Sequence, residues 1–346
     1  METRAFENQL QSIFLNSKHN EPLASHTTLG VGGPARWFVT ATSTEQLQSG
    51  IQLAHDGNIP VFVLGWGSNL IVSDEGFPGL VIQNRAKNWK VIAAPASAPA
   101  YAATALARLE ALGEQYYRVD DLLYSEEHEP IAIVQVESGA KIEPLMKDLL
   151  RQGITGLQWF AGIPASVGGA VYMNLHGGYH FFGDLVGRTL LFDPRASQNK
   201  LKSVDHDYFQ FEYDRSVLHR TKETVLCVEL KLHYGDVGRA RAAAVEWARR
   251  KALQPQKSAG CIFRNLSAEE QKRLQLPTPS IGYLVEHVLK LKGERRGDAI
   301  ISLRHAAFIE NLGQASAEEV KELIALMKNK ARDELGLKLI EEVEYI

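Results

Sequence analysis

The chain has 346 residues, 45% hydrophobic, 8% aromatic and 23% charged, which are globular proportions and exclude a disordered, collagen-like or coiled-coil protein. Its 38 Lys plus Arg against 41 Asp plus Glu leave a net charge of −3 with no long basic run, so neither a nucleic-acid-binding nor an anionic-membrane surface is expected. Two cysteines, Cys227 and Cys261, exclude a disulfide-stapled scaffold and a four-cysteine zinc site.

The polar, acidic start METRAFENQL does not read as a signal peptide, and no stretch holds the roughly 20 strongly apolar residues of a membrane span. A cytoplasmic protein without membrane partners is expected. Organisation begins near Pro22, where a turn-rich stretch, His26–Pro34, leads into a β-type run, Ala35–Ala41. Ser43 and Gln46 form a capping box before an amphipathic helix with Leu47, Ile51 and Ala54 on one face. Pro60 ends it. Val61–Leu64 reads as a buried strand running into Gly65–Asn69, and Leu70–Val72 and Gly79–Ile82 are further strands. Residues 91–128 differ: an alanine-rich run followed by Asp120, Asp121, Glu126, Glu127 and Glu129 reads as an inserted helix and a solvated acidic loop. Ile131–Val136 is a strand, and Ile142–Gln152 is a helix ended by Gly153. A second glycine-rich turn region, Gly162–Asn174, leads to His176–Gly178, and residues 188–233 alternate apolar runs with turns, as antiparallel strands do. Beyond Gly235 the chain turns helical, over Arg239–Leu253, Gly282–Leu291 and a helix capped by Ser316 and Glu319 and stopped at Gly336. Lys338–Ile346 is strand-like.

Two loops carry chemistry. Glycines in Gly65–Asn69 let main-chain N–H groups approach a ligand closely, and such groups cradle pyrophosphate. Neither a Rossmann fingerprint nor a P-loop is present, so that loop alone is equally readable as a tight turn. The run Gly162–Ala170 adds a second anion-binding turn, and a ligand with two phosphates follows as the expectation.

In combination the motifs are specific. Leu64–Phe77 and Ala161–Asn174 resemble the flavin-binding loops of the UDP-N-acetylenolpyruvoylglucosamine reductase (MurB) family. Gln254–Pro255 with Ser258–Asn265 resembles its Q-P…A-G-S-x-F-K-N segment. His305–Asn311 and Leu339–Val343 resemble its H-A-x-F-x-x-N and L-x-x-E-V patterns. The short interval between Tyr213 and Cys261 is similar to that of the family's second type, which lacks an extra capping loop.

The resemblance implies an α+β protein with the FAD-binding fold of the vanillyl-alcohol oxidases. It places two flavin-binding α/β subdomains at 1–85 and 86–234, the second carrying the insertion at about 91–128. A C-terminal substrate-binding domain follows at 235–346, whose last strand returns to the active site. It implies bound FAD, with NADPH as co-substrate, and reduction of UDP-N-acetylglucosamine enolpyruvate to UDP-N-acetylmuramate in peptidoglycan synthesis; a monomer is expected, with an oligomer left open. Gly65, Trp66, Gly67, Ser68 and Asn69 would hold the flavin, as would Gly162, Ile163, Pro164, Ser166, Gly168 and Gly169. Hydride added to C3 of the vinyl ether leaves negative charge at C2, which must be stabilised and protonated. The family's serine proton donor is replaced here by Cys261, whose thiol is the stronger acid. Glu342 falls on the catalytic glutamate. The arginine pattern Phe-x-Tyr-Arg-Asp/Asn-Ser appears as Phe211–Ser216 with Asp214 and Arg215 exchanged, and Arg215 is expected to serve. Asn265, His305, Arg264 and Tyr179 are the expected substrate contacts. A related FAD oxidoreductase acting on another substrate, and a non-catalytic UDP-sugar-binding relic, are the alternatives.

Overall fold

A computed structural model describes residues 3–94, 124–178 and 180–346. Most of the expected insertion, and Tyr179, lie outside the described residues. The chain forms two compact units, each assembled from three separate stretches: residues 1–17, 39–65 and 82–251 in one, and 18–38, 66–81 and 252–346 in the other.

The larger unit is built on a five-stranded antiparallel sheet. Its strands run in the order Leu201–Val204, Val186–Phe192, Thr224–His233, Ile131–Glu137 and Trp89–Ala93. Ala132, Val134 and Val136 alternate inward from one strand, and Val228, Leu230 and Leu232 from its neighbour. Helix Ile142–Arg151 adds Ile142, Leu145, Met146, Leu149 and Leu150 to the same core at helical spacing. Helix Thr44–Asp56 starts at Ser43, whose hydroxyl accepts the Gln46 N–H at 3.3 Å. The Gln46 side chain closes on the N–H of Thr42 rather than on that of Ser43. Ahead of it lies an element the sequence reading left out, helix Thr3–Ile13. Its Phe6 and Leu10, with Phe14 just beyond, recur every four residues and are buried, and Phe14 packs against Gly50.

The acidic patch is not wholly solvated. Gln158 Nε2 donates to Glu126 Oε2 at 2.9 Å and to the Tyr124 hydroxyl at 3.2 Å. Glu126 Oε1 is buried with no hydrogen-bond partner among the described residues, and burial pushes this carboxyl above the usual range.

In the smaller unit, Lys18–Pro22 pairs antiparallel with the first half of Pro34–Ala41. Three short antiparallel strands, Arg295–Arg296, Ala299–Ile301 and Ile309–Asn311, lie against helix Ala317–Leu335. That helix has the expected capping box of Ser316 and Glu319 and ends at Gly336, φ +59°. Asp74 reinforces its start by accepting the N–H groups of Ala317 and Glu318 at 2.8 and 3.0 Å. The expected helix Gly282–Leu291 is one α-turn, Ile281–Tyr283, followed by a π-helical turn, Leu284–Val288. Of the strand-like tail, Glu344–Tyr345 pairs in parallel with Leu70–Ile71. Among the described residues no helix is long and apolar enough to cross a membrane.

Candidate active site

In the larger unit Gly65, the first residue of one glycine loop, meets the other loop at Ser166. Gly65 ends strand Val61–Leu64, and a Cβ there would stand 2.8 Å from Ser166 Oγ. Ser166 is buried and caps helix Val167–Met173, accepting the Gly169 N–H at 3.2 Å. Gly168 N–H donates to Ser138 O at 2.7 Å, and Asn84 Nδ2 donates to Ser138 Oγ at 2.9 Å. Gly162 takes φ +79°, and a Cβ would lie 2.9 Å from Ala248 Cα. Ile163 is half-buried and Pro164 exposed. The half-buried Arg85 donates to Gly65 O at 2.7 Å, and burial pulls its pKa below the ordinary arginine value. A half-buried cation beside glycines suits a pyrophosphate.

The smaller unit gathers the rest of the first loop with the C-terminal motifs. Gly67 sits at φ +64° with its Cα against His26 O. Thr28 N–H donates to Gly67 O at 3.0 Å, and Thr28 Oγ1 donates to Ser258 O at 2.7 Å, tying the loop to the segment that leads into Cys261. The half-buried Trp66, Ser68 and Asn69 flank it. Asn69 Nδ2 donates to Glu342 O at 2.9 Å.

An extended run through Cys261–Arg264 lies between two partners. On one side Cys261 is bridged to Phe308, and Ile262 N–H donates to Ala307 O at 2.9 Å. On the other side Glu342 N–H donates to Ile262 O at 2.9 Å, and Arg264 N–H donates to Ile340 O at 3.0 Å. The neighbouring glutamates separate clearly. Glu341 is held by Lys328 Nζ at 2.5 Å and by the Tyr345 hydroxyl, which gives it a structural task. Glu342 follows it on the segment bonded to Ile262 and Asn69.

His305 Nδ1 accepts the Ala307 N–H at 3.3 Å, so a neutral ring carries its proton on Nε2 as a donor. A Cβ on Gly282 would stand 2.7 Å from His305 Cε1, so glycine leaves room for the ring. Asn265 Oδ1 accepts the Ile281 N–H at 3.1 Å, which leaves the amide's donor end for an anion. Arg264 is half-buried beside it. Among the described residues no cluster of His, Cys, Asp and Glu could hold a metal.

Within the smaller unit the structure therefore brings together Trp66–Asn69, Cys261, Arg264, Asn265, His305 and Glu342. Gly65, the Gly162–Gly169 loop and Arg215 belong to the larger unit. Arg215 is exposed, whereas Asp214 is buried and meets His176 Nδ1 at 3.0 Å. Cys227, the other thiol, sits on strand Thr224–His233, where burial pushes its pKa up to about 11 and removes it as an acid near neutrality. Arg85, Thr28 and His176 escaped the sequence reading.

A family model described as the UDP-N-acetylenolpyruvoylglucosamine reductase C-terminal domain matches residues 253–346. The chain is 31% identical over 331 residues to the UDP-N-acetylenolpyruvoylglucosamine reductase of Synechococcus sp. (strain WH7803), covering 94% of this chain and 91% of the relative. It is 33% identical over 348 residues to that of Moorella thermoacetica, covering 99% and 98%. Its α+β fold is similar to the crystal structure of UDP-N-acetylenolpyruvylglucosamine reductase from Thermus caldophilus, with a TM-score of 0.66, 30% identity, and 95% and 98% of the two chains covered.

Proposed function

Because the chain belongs to the UDP-N-acetylenolpyruvoylglucosamine reductase family, whose members are oxidoreductases of peptidoglycan synthesis, we propose that it uses FAD and NADPH to reduce UDP-N-acetylglucosamine enolpyruvate to UDP-N-acetylmuramate. The observation that supports this reading is the main-chain pairing within the smaller unit. There Glu342 N–H bonds to Ile262 O while Asn69 Nδ2 bonds to Glu342 O, so three distant motifs become neighbours.

When bound, FAD supplies the hydride for C3 of the enolpyruvyl group. Gly65, Gly162, Ile163, Pro164, Ser166, Gly168 and Gly169 would hold it, as would Trp66, Gly67, Ser68 and Asn69, and Arg85 would balance pyrophosphate charge. The protein's own chemistry concerns charge and one proton. Cys261 donates its thiol proton to C2, and Glu342 assists that delivery. Arg215 offers an exposed guanidinium to the negative charge that develops. Asn265, His305 and Arg264 present donors to the diphosphate of the sugar nucleotide.

The test is spectroscopic. Purified protein should be yellow, bleach with NADPH, and regain colour on addition of enolpyruvyl-UDP-N-acetylglucosamine. Cys261→Ala should leave bleaching intact and slow the recovery by roughly 100-fold or more, the usual worth of a positioned general acid. Cys261→Ser should keep substantial activity. A colourless protein, or recovery unchanged in Cys261→Ala, would count against the assignment.

A further inference from the structure

The segment that carries Cys261 runs antiparallel to the chain around Phe308–Asn311, and the two do not keep step. Ile262 N–H donates to Ala307 O at 2.9 Å and Cys261 is bridged to Phe308, yet farther along Asn311 N–H donates to Lys257 O at 3.0 Å. In the register of Cys261 and Phe308, the residue opposite Asn311 would be Ser258. The thiol segment therefore holds one residue more than the strand beside it, which makes a β-bulge. Gly260 lies inside the bulge at φ +85°, the left-handed backbone that a bulge of this kind gives to glycine. One residue more or less in a strand turns the side chains beyond it to the other face, so the bulge decides the face on which Cys261 lies.

Ser258 has lost its place in that pairing and is buried. Its carbonyl instead accepts the Thr28 hydroxyl at 2.7 Å, while Gly67 O lies farther from that hydroxyl, at 3.4 Å. The main chain of Thr28 has a separate task, since its N–H donates to Gly67 O at 3.0 Å. The buried Asn311 holds Thr28 in place from the next residues. Its Nδ2 donates to Leu29 O and Gly30 O at 3.1 and 3.2 Å, and its Oδ1 accepts the N–H groups of Gly313 and Ala315 at 2.8 and 3.0 Å. A ring thus closes within the smaller unit. It runs from Asn311 to Lys257, on to Ser258, across to Thr28, and back through Leu29 and Gly30 to Asn311.

We propose that Thr28 is a positioning residue for proton delivery: its hydroxyl takes the place of the strand partner that Ser258 O has given up, holds the bulge at Ala259–Gly260 open, and so aims the Cys261 thiol. Without the hydroxyl a buried carbonyl loses this donor, and the Asn311 N–H stands one carbonyl away to replace it. The pairing then slips by one residue and turns Cys261 off its line. Displacement of a reacting group by about 1 Å is enough to cost up to roughly 100-fold in rate. The inference deepens the reductase reading and rests on it, because only there does Cys261 have a proton to deliver.

The experiment compares Thr28→Val and Thr28→Ser with wild type as purified flavoproteins. Valine keeps the shape and the N–H bond to Gly67 O but removes the hydroxyl; serine keeps both bonds. Flavin content equal to wild type shows that the fold survives. In Thr28→Val, bleaching by NADPH should keep pace with wild type, while recovery of colour with enolpyruvyl-UDP-N-acetylglucosamine should slow roughly tenfold or more. Thr28→Ser should regain most of the lost rate. A second readout needs no turnover: hydrogen exchange at the main-chain N–H groups of Ile262 and Asn311 should be roughly tenfold faster in Thr28→Val than in wild type or Thr28→Ser. Recovery and exchange like wild type in Thr28→Val overturn the inference and leave the reductase reading standing. Bleaching and recovery slowed alike overturn it too, since they would make Thr28 a general support of the fold. A wild-type flavin that the enolpyruvyl compound cannot reoxidise overturns the reductase reading and with it the role of Thr28 in proton delivery.

Discussion

Two glycines of the smaller unit share a left-handed backbone but not a neighbourhood. Gly67, at φ +64°, faces His26 O, where a Cβ would stand 2.2 Å away, while Gly260, at φ +85°, has nothing among the described residues within 4 Å of that position. Alanine at 260 carries only the left-handed strain, about 1–2 kcal/mol. Alanine at 67 adds a collision with main chain that no rotamer relieves. Gly67→Ala should therefore destabilise in urea by at least about 2 kcal/mol more than Gly260→Ala, and should lower retained flavin. Equal midpoints for the two variants would contradict this. At this scale the sequence says little of the company that residues keep. The motif register singled out Glu342 from Glu341, and the structure supplies a reason, since Glu341 is taken by Lys328 and Tyr345. The pairing of Asp214 with His176 was illegible because it joins side chains 38 positions apart through a turn with no hydrophobic period.

The elements most readable in advance were those that announce themselves locally. Ser316, Glu319 and Gly336 bound their helix in the structure as caps should. Less readable was the segment after residue 123, whose charges read as solvent-facing although Glu126 turns inward to Gln158. Gln158 starts the 3₁₀ turn Gln158–Phe160 that runs directly into Ala161–Gly162, so this contact braces the proposed flavin loop. Glu126's pKa is raised, chiefly by burial, with Thr155, Gln158 and His233 opposing the shift and Glu129 adding to it. The folded state thus holds this proton more tightly than the unfolded chain. Stability is greatest below the unfolded value and falls as pH climbs through the folded one. Glu126→Gln keeps an oxygen for Gln158 and cannot ionise. Its urea midpoint should match the wild type at acid pH and exceed it above neutrality. A variant less stable than wild type at alkaline pH would show that the ionised carboxylate is the favoured partner.

Taken whole, the molecule draws the core of its smaller unit from three places in the chain. Leu29, Val31 and Ile71 are fully buried among side chains that run from Ala259 to Val343, and Leu70–Ile71 pairs with Glu344–Tyr345. No periodicity or turn signal records such a grouping, because it depends on contacts between segments far apart in sequence. A polypeptide of residues 252–346 alone therefore lacks three core side chains and a strand partner. It should show no cooperative urea transition, whereas the full chain should. A sharp transition in the fragment would mean that its remaining apolar side chains close a core by themselves. The same arrangement sets a problem for synthesis on the ribosome. Ile71 emerges well before Ala259, and at 5–20 residues per second its apolar face waits roughly 10–40 s for those partners. During that interval residues 29–31 and 70–72 are natural bait for a chaperone. Slowing translation between them should raise the yield of insoluble protein without altering one contact of the finished fold.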